Sequence, residues 1–339
     1  MNDVVSVRRA IGLTIPIAGG GLAGLPDVVA TAAEAGITEV WSSESNGADA
    51  FTPLAVAATA GRRVRLGTGV AGYLTRGPAL LAQSAAALAE LAPGRTAIGI
   101  GSSSYPMVQG WNGIPFDRRV ARARDTVTFL RQAFAGGTVR GPFETITTRG
   151  FRLARVPGEP PPVLVAALGP RMVELGLEHA DGVVVNWLSP SDVDGLLGGR
   201  RDREVVCRIM VCPATDPQRL RDGLRPLFAG YLSVPTYAAF QRRLGRGELL
   251  EPMWRAWAAG DRAEAARCVP DEVIDDLVVH GEVAACRDRL RSYLDAGVTS
   301  AVLAIVGPDG GPAAPPWPEL REMVAGLAAP ARENVGSSR

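Results

Sequence analysis

The feature that most constrains the fold is a regular alternation of short apolar runs with helical segments. Eight runs have the composition of parallel strands that are buried on both faces. Each run is followed by sequence with a helical pattern, so the chain reads as eight strand–helix units. In 339 residues, eight such units predict an α/β fold, a (β/α)8 TIM barrel. The predicted strands are 10–17, 38–43, 64–70, 96–101, 162–167, 182–186, 205–211 and 300–306.

Three segments interrupt this rhythm. A single barrel domain over 1–329 therefore carries insertions near 102–117, 136–161 and 216–296, and 330–339 is predicted to be a flexible tail. Within the second insertion, TVRGPFETITTR predicts a hairpin, and the third reads as a long helical region. The other predicted helices are 25–35, 51–60, 78–91, 118–135, 170–179, 190–197 and 316–328.

A doubly wound sheet is the rival architecture, because Gly19, Gly21 and Gly24 satisfy the pattern GxGxxG. The match begins two residues after the first strand, and Pro26 follows it directly. A lone match of this kind is weak. We therefore interpret residues 19–24 as a loop.

Charge and residue usage exclude several classes of function. The 36 basic and 35 acidic residues give a net charge of +1, so we predict no nucleic-acid partner. All basic residues are arginine, which excludes a Schiff-base lysine and a P-loop lysine. The four cysteines form no CxxC pair, and the two histidines, His179 and His280, stand far apart. No metal site is predicted.

The expected location is the cytoplasm. Arg8 and Arg9 precede an apolar run and so imitate a twin-arginine signal, but Pro16 and several glycines interrupt that run. It reads better as a buried strand. No apolar run reaches the ~18 residues that a membrane helix needs, so no membrane partner is expected.

Candidate functional residues follow the predicted strands, where barrel enzymes place their active sites. These loops contain few polar groups, among them Glu44, Ser45 and Arg171, and several aromatic residues. A mostly apolar cavity with an aromatic rim suits a flat organic ring. The predicted substrate pocket consists of Tyr73, Tyr105, Trp111 and Trp187.

The stretch from Val163 to Trp187 reads as strand, Gly-Pro turn, helix and strand. A helix start offers unpaired N–H donors and about half a positive charge, which together favour an anion. Gly169 would let the backbone approach that anion, and Pro170 suits the first helical turn. Arg171 could add a charge-assisted contact. An ordinary strand-to-helix turn is the alternative interpretation.

Four segments together resemble the luciferase-like monooxygenase superfamily, and most closely its branch that uses coenzyme F-420 (8-hydroxy-5-deazaflavin, also written F420). The resemblance covers most of the chain from the third to the eighth strand. LAPGR before a GIG strand, and ALGPRM followed by ADGV, are its most specific parts. The segments are 65–101, 101–131, 166–190 and 279–307.

The resemblance implies a cofactor ring in the barrel mouth and a phosphate tail at the helix start after the fifth strand. It also implies a strained, often cis, peptide at the end of the third strand, behind the ring. FMN is the alternative cofactor. The implied cofactor-binding residues are Gly69, Val70, Ala71, Gly101, Ser102, Ser103, Ala167, Leu168, Gly169, Pro170, Arg171 and Met172.

The chain departs from this family pattern where many F-420-dependent members carry Asp-His after the second strand. Glu44 and Ser45 stand there, and serines 102–104 replace an acid or histidine after the fourth strand. Glu44, Ser45 and Ser104 are the catalytic candidates. Oxidation of an alcohol needs a general base, so the absence of the usual Asp-His pair argues against alcohol oxidation as the reaction of this chain.

Reduction of an activated C=C or C=N bond demands less of the protein, because the cofactor supplies the hydride. We therefore predict a reductase acting on an alkene, dehydroamino acid or imine in a small secondary metabolite or a modified peptide. An FMN-dependent two-component monooxygenase and a non-catalytic binding protein remain alternatives. A homodimer is expected through early helices, the apolar 51–60 and the Ala-rich 79–91, with burial of these faces inside the monomer as the alternative.

Overall fold

Eight parallel strands close into a barrel, as the sequence predicts. The computed structural model describes residues 9–17, 20–213 and 216–328, so the predicted tail at 330–339 lies outside the described residues. The strands are β1 (Ala10–Ile15), β2 (Glu39–Ser42), β3 (Arg65–Gly72), β4 (Thr96–Gly101), β5 (Val163–Ala166), β6 (Gly182–Asn186), β7 (Glu204–Cys212), β8 (Val278–His280) and β9 (Ser300–Ile305). Strands β1 to β7 follow one another around the barrel, and β9 closes it between β7 and β1. This closure rules out the doubly wound sheet.

Strand β8 is a ninth strand that the sequence did not predict. It pairs in parallel with the last residues of β7, where β7 extends beyond β6. Three residues are too few to show a strand periodicity, so they read as part of the surrounding helical segment. They attach the third insertion to the barrel.

Proline begins most of the helices, because its fixed φ suits the first turn and its missing N–H is not needed there. Eight helices carry proline at one of their first two positions. The helices are α1 (Leu25–Glu34), α2 (Thr52–Ala58), α3 (Pro78–Leu91), α4 (Arg119–Phe134), α5 (Pro170–Glu174), α6 (Pro190–Leu197), α7 (Pro217–Leu232), α8 (Pro235–Arg243), α9 (Gly247–Ala258), α10 (Arg262–Arg267), α11 (Asp271–Leu277), α12 (Val283–Asp295) and α13 (Trp317–Val324). No described helix is long and apolar enough to span a membrane.

The helix predicted at 170–179 is confirmed: it is α-helical to Glu174 and continues as a π-helix over Leu175–His179. One local prediction was wrong. The predicted hairpin in 136–161 forms no pair of strands, only one antiparallel bridge between Val139 and Phe151. The buried carboxylate of Asp125 on α4 organises this segment instead, because it accepts both backbone N–H groups of Glu144 and Thr145.

A single large side chain fills the centre of the barrel. Trp41 of β2 is 2% exposed and packs among small and branched residues from six strands. Its ring occupies the space that a side chain at position 67 would need: a Cβ on Gly67 would lie 2.3 Å from the indole. Its N–H donates to Glu39 at 2.8 Å. The indole therefore forms the floor beneath the open end of the barrel.

Ionic contacts close the barrel below Trp41. Arg65 at the start of β3 makes a two-fold contact with Glu204 at the start of β7 and lies 3.5 Å from Glu39. All three side chains are largely buried. A buried charge is tolerated only when it is paired and hydrogen-bonded, and this arrangement meets that condition.

The third insertion forms a helical cap on one side of the barrel mouth. Helices α7 to α11 enclose their own apolar cluster, which includes Phe228 and Trp254. The same cluster contains Trp187, Met210 and Val306, which lie at or just after the ends of β6, β7 and β9. The cap therefore packs directly on three carboxyl-terminal strand ends.

We expect Gly67→Ala to destabilise the protein by about 1–3 kcal/mol, because the new methyl group would overlap the indole of Trp41 within a packed barrel. Urea unfolding followed by circular dichroism measures this difference. Gly195→Ala is the matched control: it lies on the exposed face of α6 with open space around it, and alanine favours a helix. Equal stability of the two variants would contradict the role given to Trp41.

Candidate active site

The carboxyl-terminal ends of the barrel strands meet at one mouth, directly above Trp41. Because all eight strands are parallel, the loops that follow them gather on this face. Half of the lining side chains are apolar, and most of the others are small or polar. The cavity at the base of the mouth is lined by Thr14, Trp41, Ser43, Gly69, Val184, Val206, Arg208 and Val302.

The wall of the mouth formed by β3 has the irregular backbone that the family resemblance implied. The peptide bond between Gly69 and Val70 is cis, which confirms that prediction. Pairing of β3 with β4 shifts register between Thr68 and Ala71, and Val70 projects toward Gly101. A Cβ on Gly101 would lie 2.4 Å from Val70, so a glycine is needed there.

Glu44 is held in a clamp behind this wall. Its carboxylate accepts the backbone N–H of Gly72 at 2.9 Å and pairs with Arg76 at 2.7 Å. Its own N–H donates to the carbonyl of Val70 at 3.2 Å. Arg76 also reaches Asp49 at 3.3 Å. Glu44 thus fixes the end of β3, and its carboxylate is engaged on both oxygens.

The serines at the predicted catalytic positions are spread over two loops. Ser45 is exposed and forms no hydrogen bond with the described residues. Ser102 donates to the carbonyl of Ser103 at 3.3 Å, and Ser103 contacts the sulfur of Met107. Ser103 has a positive φ of 59°, which is uncommon outside glycine. The carbonyl of Ser104 accepts from Val108 in the π-helix Pro106–Trp111.

The four predicted pocket aromatics do not form one pocket. Tyr73 is buried in the core between β3 and the early helices, where its hydroxyl donates to the carbonyl of Arg119 at 2.9 Å. Burial raises the pKa of Tyr73. Tyr105 and Trp111 lie on the surface at 56% and 60% exposure. Only Trp187 contacts the cap.

Trp187 follows β6 with a positive φ of 59° and packs under the cap. Its ring lies 4.9 Å from that of Phe228 and 5.2 Å from that of Tyr231, between ring centres. Tyr237 completes the group, and its hydroxyl lies 3.3 Å from the amide nitrogen of Asn186 at the end of β6. The aromatic surface beside the mouth is therefore built largely by the cap.

The helix start after β5 has the geometry of an anion site. Gly169 is extended, and the N–H groups of Gly169 and Arg171 have no acceptor among the described residues. Ala167 and Leu168 connect this turn to β5, and Met172 closes it by donating to the carbonyl of Gly169. Pro170 and Arg171 are exposed.

A second arginine, not expected from the sequence, joins this helix start. A Cβ on Gly169 would lie 3.2 Å from Nη1 of Arg243, the last residue of α8. Within the described part of the chain, neither Arg171 nor Arg243 forms an ion pair. Two unpaired cations beside free N–H groups favour an anion.

Arg208 of β7 points into the base of the mouth. Its Nε is fully buried and has no hydrogen-bond partner, and the hydroxyl of Thr14 in the same cavity is also buried and unpaired. Burial lowers the pKa of Arg208, while Tyr231 and Tyr237 of the cap act in the opposite direction. Arg208 was not predicted as a site residue from the sequence. The signal was a single arginine inside the apolar strand VVCRIMV.

Comparison with known proteins identifies the family. The sequence profile of luciferase-like monooxygenases matches residues 12–300. This chain belongs to the luciferase-like monooxygenase family. It is 30% identical over 309 residues to "Putative coenzyme F420-dependent oxidoreductase Rv3520c" of Mycobacterium tuberculosis, covering 82% of this chain and 89% of that protein. It is 26% identical over 299 residues to 5,10-methylenetetrahydromethanopterin reductase of Archaeoglobus fulgidus, covering 83% and 89%.

Solved structures share the fold over nearly the whole chain. The coenzyme F420-dependent tetrahydromethanopterin reductase of Methanopyrus kandleri superposes with a TM-score of 0.75 at 22% identity, covering 95% of this chain and 98% of that one. The oxygenating constituent of 3,6-diketocamphane monooxygenase of Pseudomonas putida, in complex with FMN, gives 0.64 at 17% identity, covering 95% and 98%. The fold therefore accommodates both flavin and deazaflavin enzymes.

We expect Glu44→Ala to lower the free energy of unfolding by about 1–3 kcal/mol, because it removes the acceptor of Gly72 and the main partner of Arg76 in a largely buried site. Urea unfolding measures this loss. Glu34→Ala is the control, since Glu34 pairs with Arg62 on the surface, where such pairs contribute less than about 1 kcal/mol. A loss at Glu44 no larger than at Glu34 would refute the clamp.

Proposed function

We propose that this protein is a coenzyme F-420-dependent reductase. The observation that carries the proposal is the pairing of two features on one barrel face: a glycine-rich wall at Gly69 and Gly101, and an anion site at Gly169. The wall would present the backbone at Gly69 to a flat ring, and the anion site suits the charged tail of a nucleotide-like cofactor. A relative whose name includes coenzyme F420 supports this choice over FMN.

The residues present fit such a cofactor. Gly69, Val70 and Ala71 would support the ring from behind, with Gly101, Ser102 and Ser103 at its edge. The turn Ala167–Met172 would hold the tail through free N–H groups, and Arg171 and Arg243 would neutralise its charge. When bound, the reduced coenzyme supplies a hydride.

The polar groups near the mouth favour reduction of the substrate. Glu44 is committed to Arg76 and Gly72, so we propose that it positions the β3 wall rather than transferring a proton. Ser45, Ser102, Ser103 and Ser104 offer hydroxyls but no strong base, and oxidation of an alcohol would require one.

The substrate class follows from the presence of hydroxyl groups and the lack of a strong base near the mouth. An activated C=C or C=N bond would accept the hydride at one atom and a proton at the other, which leaves the bond saturated and the coenzyme oxidised by two electrons. The proton could be delivered by water or by the Tyr237 hydroxyl. An alkene, dehydroamino acid or imine in a secondary metabolite or modified peptide meets these demands.

We expect oxidised F-420 to bind saturably and FMN to bind at least about tenfold more weakly, as measured by quenching of cofactor fluorescence. Gly169→Trp should abolish F-420 binding, because the indole would occupy the anion site and displace Arg243. Arg243→Gln should weaken binding by roughly tenfold or more, as expected for loss of a charge-assisted hydrogen bond.

Two matched variants control for nonspecific effects. Gly158→Trp adds the same bulk at an exposed glycine with open space before β5, and Arg63→Gln removes an exposed arginine at the opposite end of the barrel. Preference for FMN would favour the two-component monooxygenase. Binding of neither cofactor would refute the redox proposal and favour a non-catalytic binding protein.

The homodimer and the cytoplasmic location stay predictions. Leu80 and Leu91 of α3 are large apolar side chains at 51% and 53% exposure, which supports an interface on this helix. Sedimentation equilibrium of the purified protein would test the dimer directly.

A further inference from the structure

Arg208 is the interior arginine that lacks a carboxylate. Four other arginines with little exposed side chain are paired with carboxylates: Arg65 with Glu204 and Glu39, Arg76 with Glu44, Arg225 with Asp271, and Arg246 with Asp192 and Asp276. Among the described residues, the side chain of Arg208 forms neither an ion pair nor a hydrogen bond, and its Nε is fully buried. A guanidinium that is largely removed from solvent and has no protein partner favours an anionic partner that arrives with a ligand.

The surroundings of Arg208 show where that partner would lie. The base of the mouth places Arg208 and the unpaired hydroxyl of Thr14 in one cavity, with Ser43 at its edge. No Asp or Glu lines this cavity. A cation and hydroxyl donors, without a competing carboxylate, form a site for an anionic oxygen group.

The order of strands around the barrel separates this site from the proposed tail site. Strand β7 is the fourth neighbour of β3 in both directions, so Arg208 lies directly across the mouth from the Gly69–Val70 wall. A ring resting on that wall has its free face toward Arg208. The tail site lies after β5, on a different part of the rim.

We propose that Arg208 and Thr14 bind the carboxylate of an acidic substrate and hold it against the free face of the cofactor ring. This inference rests on the proposed function and names its substrate class: an unsaturated or imino acid whose C=C or C=N bond is conjugated to the carboxylate. The guanidinium fork matches the two carboxylate oxygens. Withdrawal of electron density by Arg208 activates the double bond. In a C=C bond the far carbon accepts the hydride and the carbon next to the carboxylate takes a proton; in an imino acid the imine carbon accepts the hydride and the nitrogen takes the proton.

Equilibrium binding tests the site without turnover. The probes are trans-cinnamate and benzoate, each compared with its neutral amide, titrated calorimetrically into the protein with and without saturating oxidised F-420. We expect the wild type to prefer each acid over its amide by roughly 10–100-fold, the range for a charged hydrogen-bonded pair. Arg208→Gln should abolish this preference, and Arg208→Lys should restore part of it.

Stability provides a second readout. Because Arg208 has no partner to lose, Arg208→Gln should keep or raise the Tm of the ligand-free protein, whereas a structural arginine would lower it. Arg63→Gln, at the exposed end of the barrel away from the mouth, should change neither the acid preference nor the Tm.

The outcomes separate this inference from the proposed function. Loss of acid preference in Arg208→Gln with unchanged F-420 affinity supports it. The inference is overturned if the wild type shows no preference for acids, or if the preference survives Arg208→Gln. The F-420 titration tests the cofactor independently of either result. Loss of F-420 affinity in Arg208→Gln would mean that Arg208 holds a cofactor group, which also overturns it.

Discussion

The packing of Trp41 inside the barrel is the constraint on which the rest of the site depends. A small parallel barrel is normally filled by layers of side chains, and here one indole occupies much of the central layer. Glycines at 12 and 67 leave the space for it, and Glu39 fixes the ring through its N–H. Because the floor is set at this height, the backbone at Gly69 and the side chain of Arg208 lie in the next layer, facing the open mouth.

Charges are distributed unequally along the barrel axis. Below Trp41, Arg65 is neutralised by Glu39 and Glu204, which ties β2, β3 and β7 together. Above it, Arg208 has no such partner among the described residues. The lower end therefore stabilises the fold, while the upper end retains binding capacity, a division typical of barrels that place chemistry at the carboxyl-terminal strand ends. The cap adds Tyr231 and Tyr237 to the upper end and screens it from solvent on one side.

Local sequence was sufficient wherever one residue type dictates one backbone geometry. The eight barrel strands and the Gly-Pro start of α5 were predicted in this way, whereas the cis peptide between Gly69 and Val70 was expected only from the family resemblance. Predictions that depended on contacts between residues distant in sequence were wrong in two cases. Tyr73 was assigned to the pocket but is covered by α4, and a hairpin was predicted where Asp125 instead organises an irregular loop.

The sequence by itself determined the barrel, because alternating buried strands and helices of this number have few other ways to bury their apolar faces. It also determined the helix start at Gly169, whose free N–H groups follow from chain geometry alone. Only the tertiary structure decided which charged groups are available to a ligand. In the sequence, three residues appear equally as isolated charges: Arg208, Arg243 and Glu44. In the structure, Glu44 is bound to Arg76, whereas Arg208 and Arg243 have no ion-pair partner among the described residues.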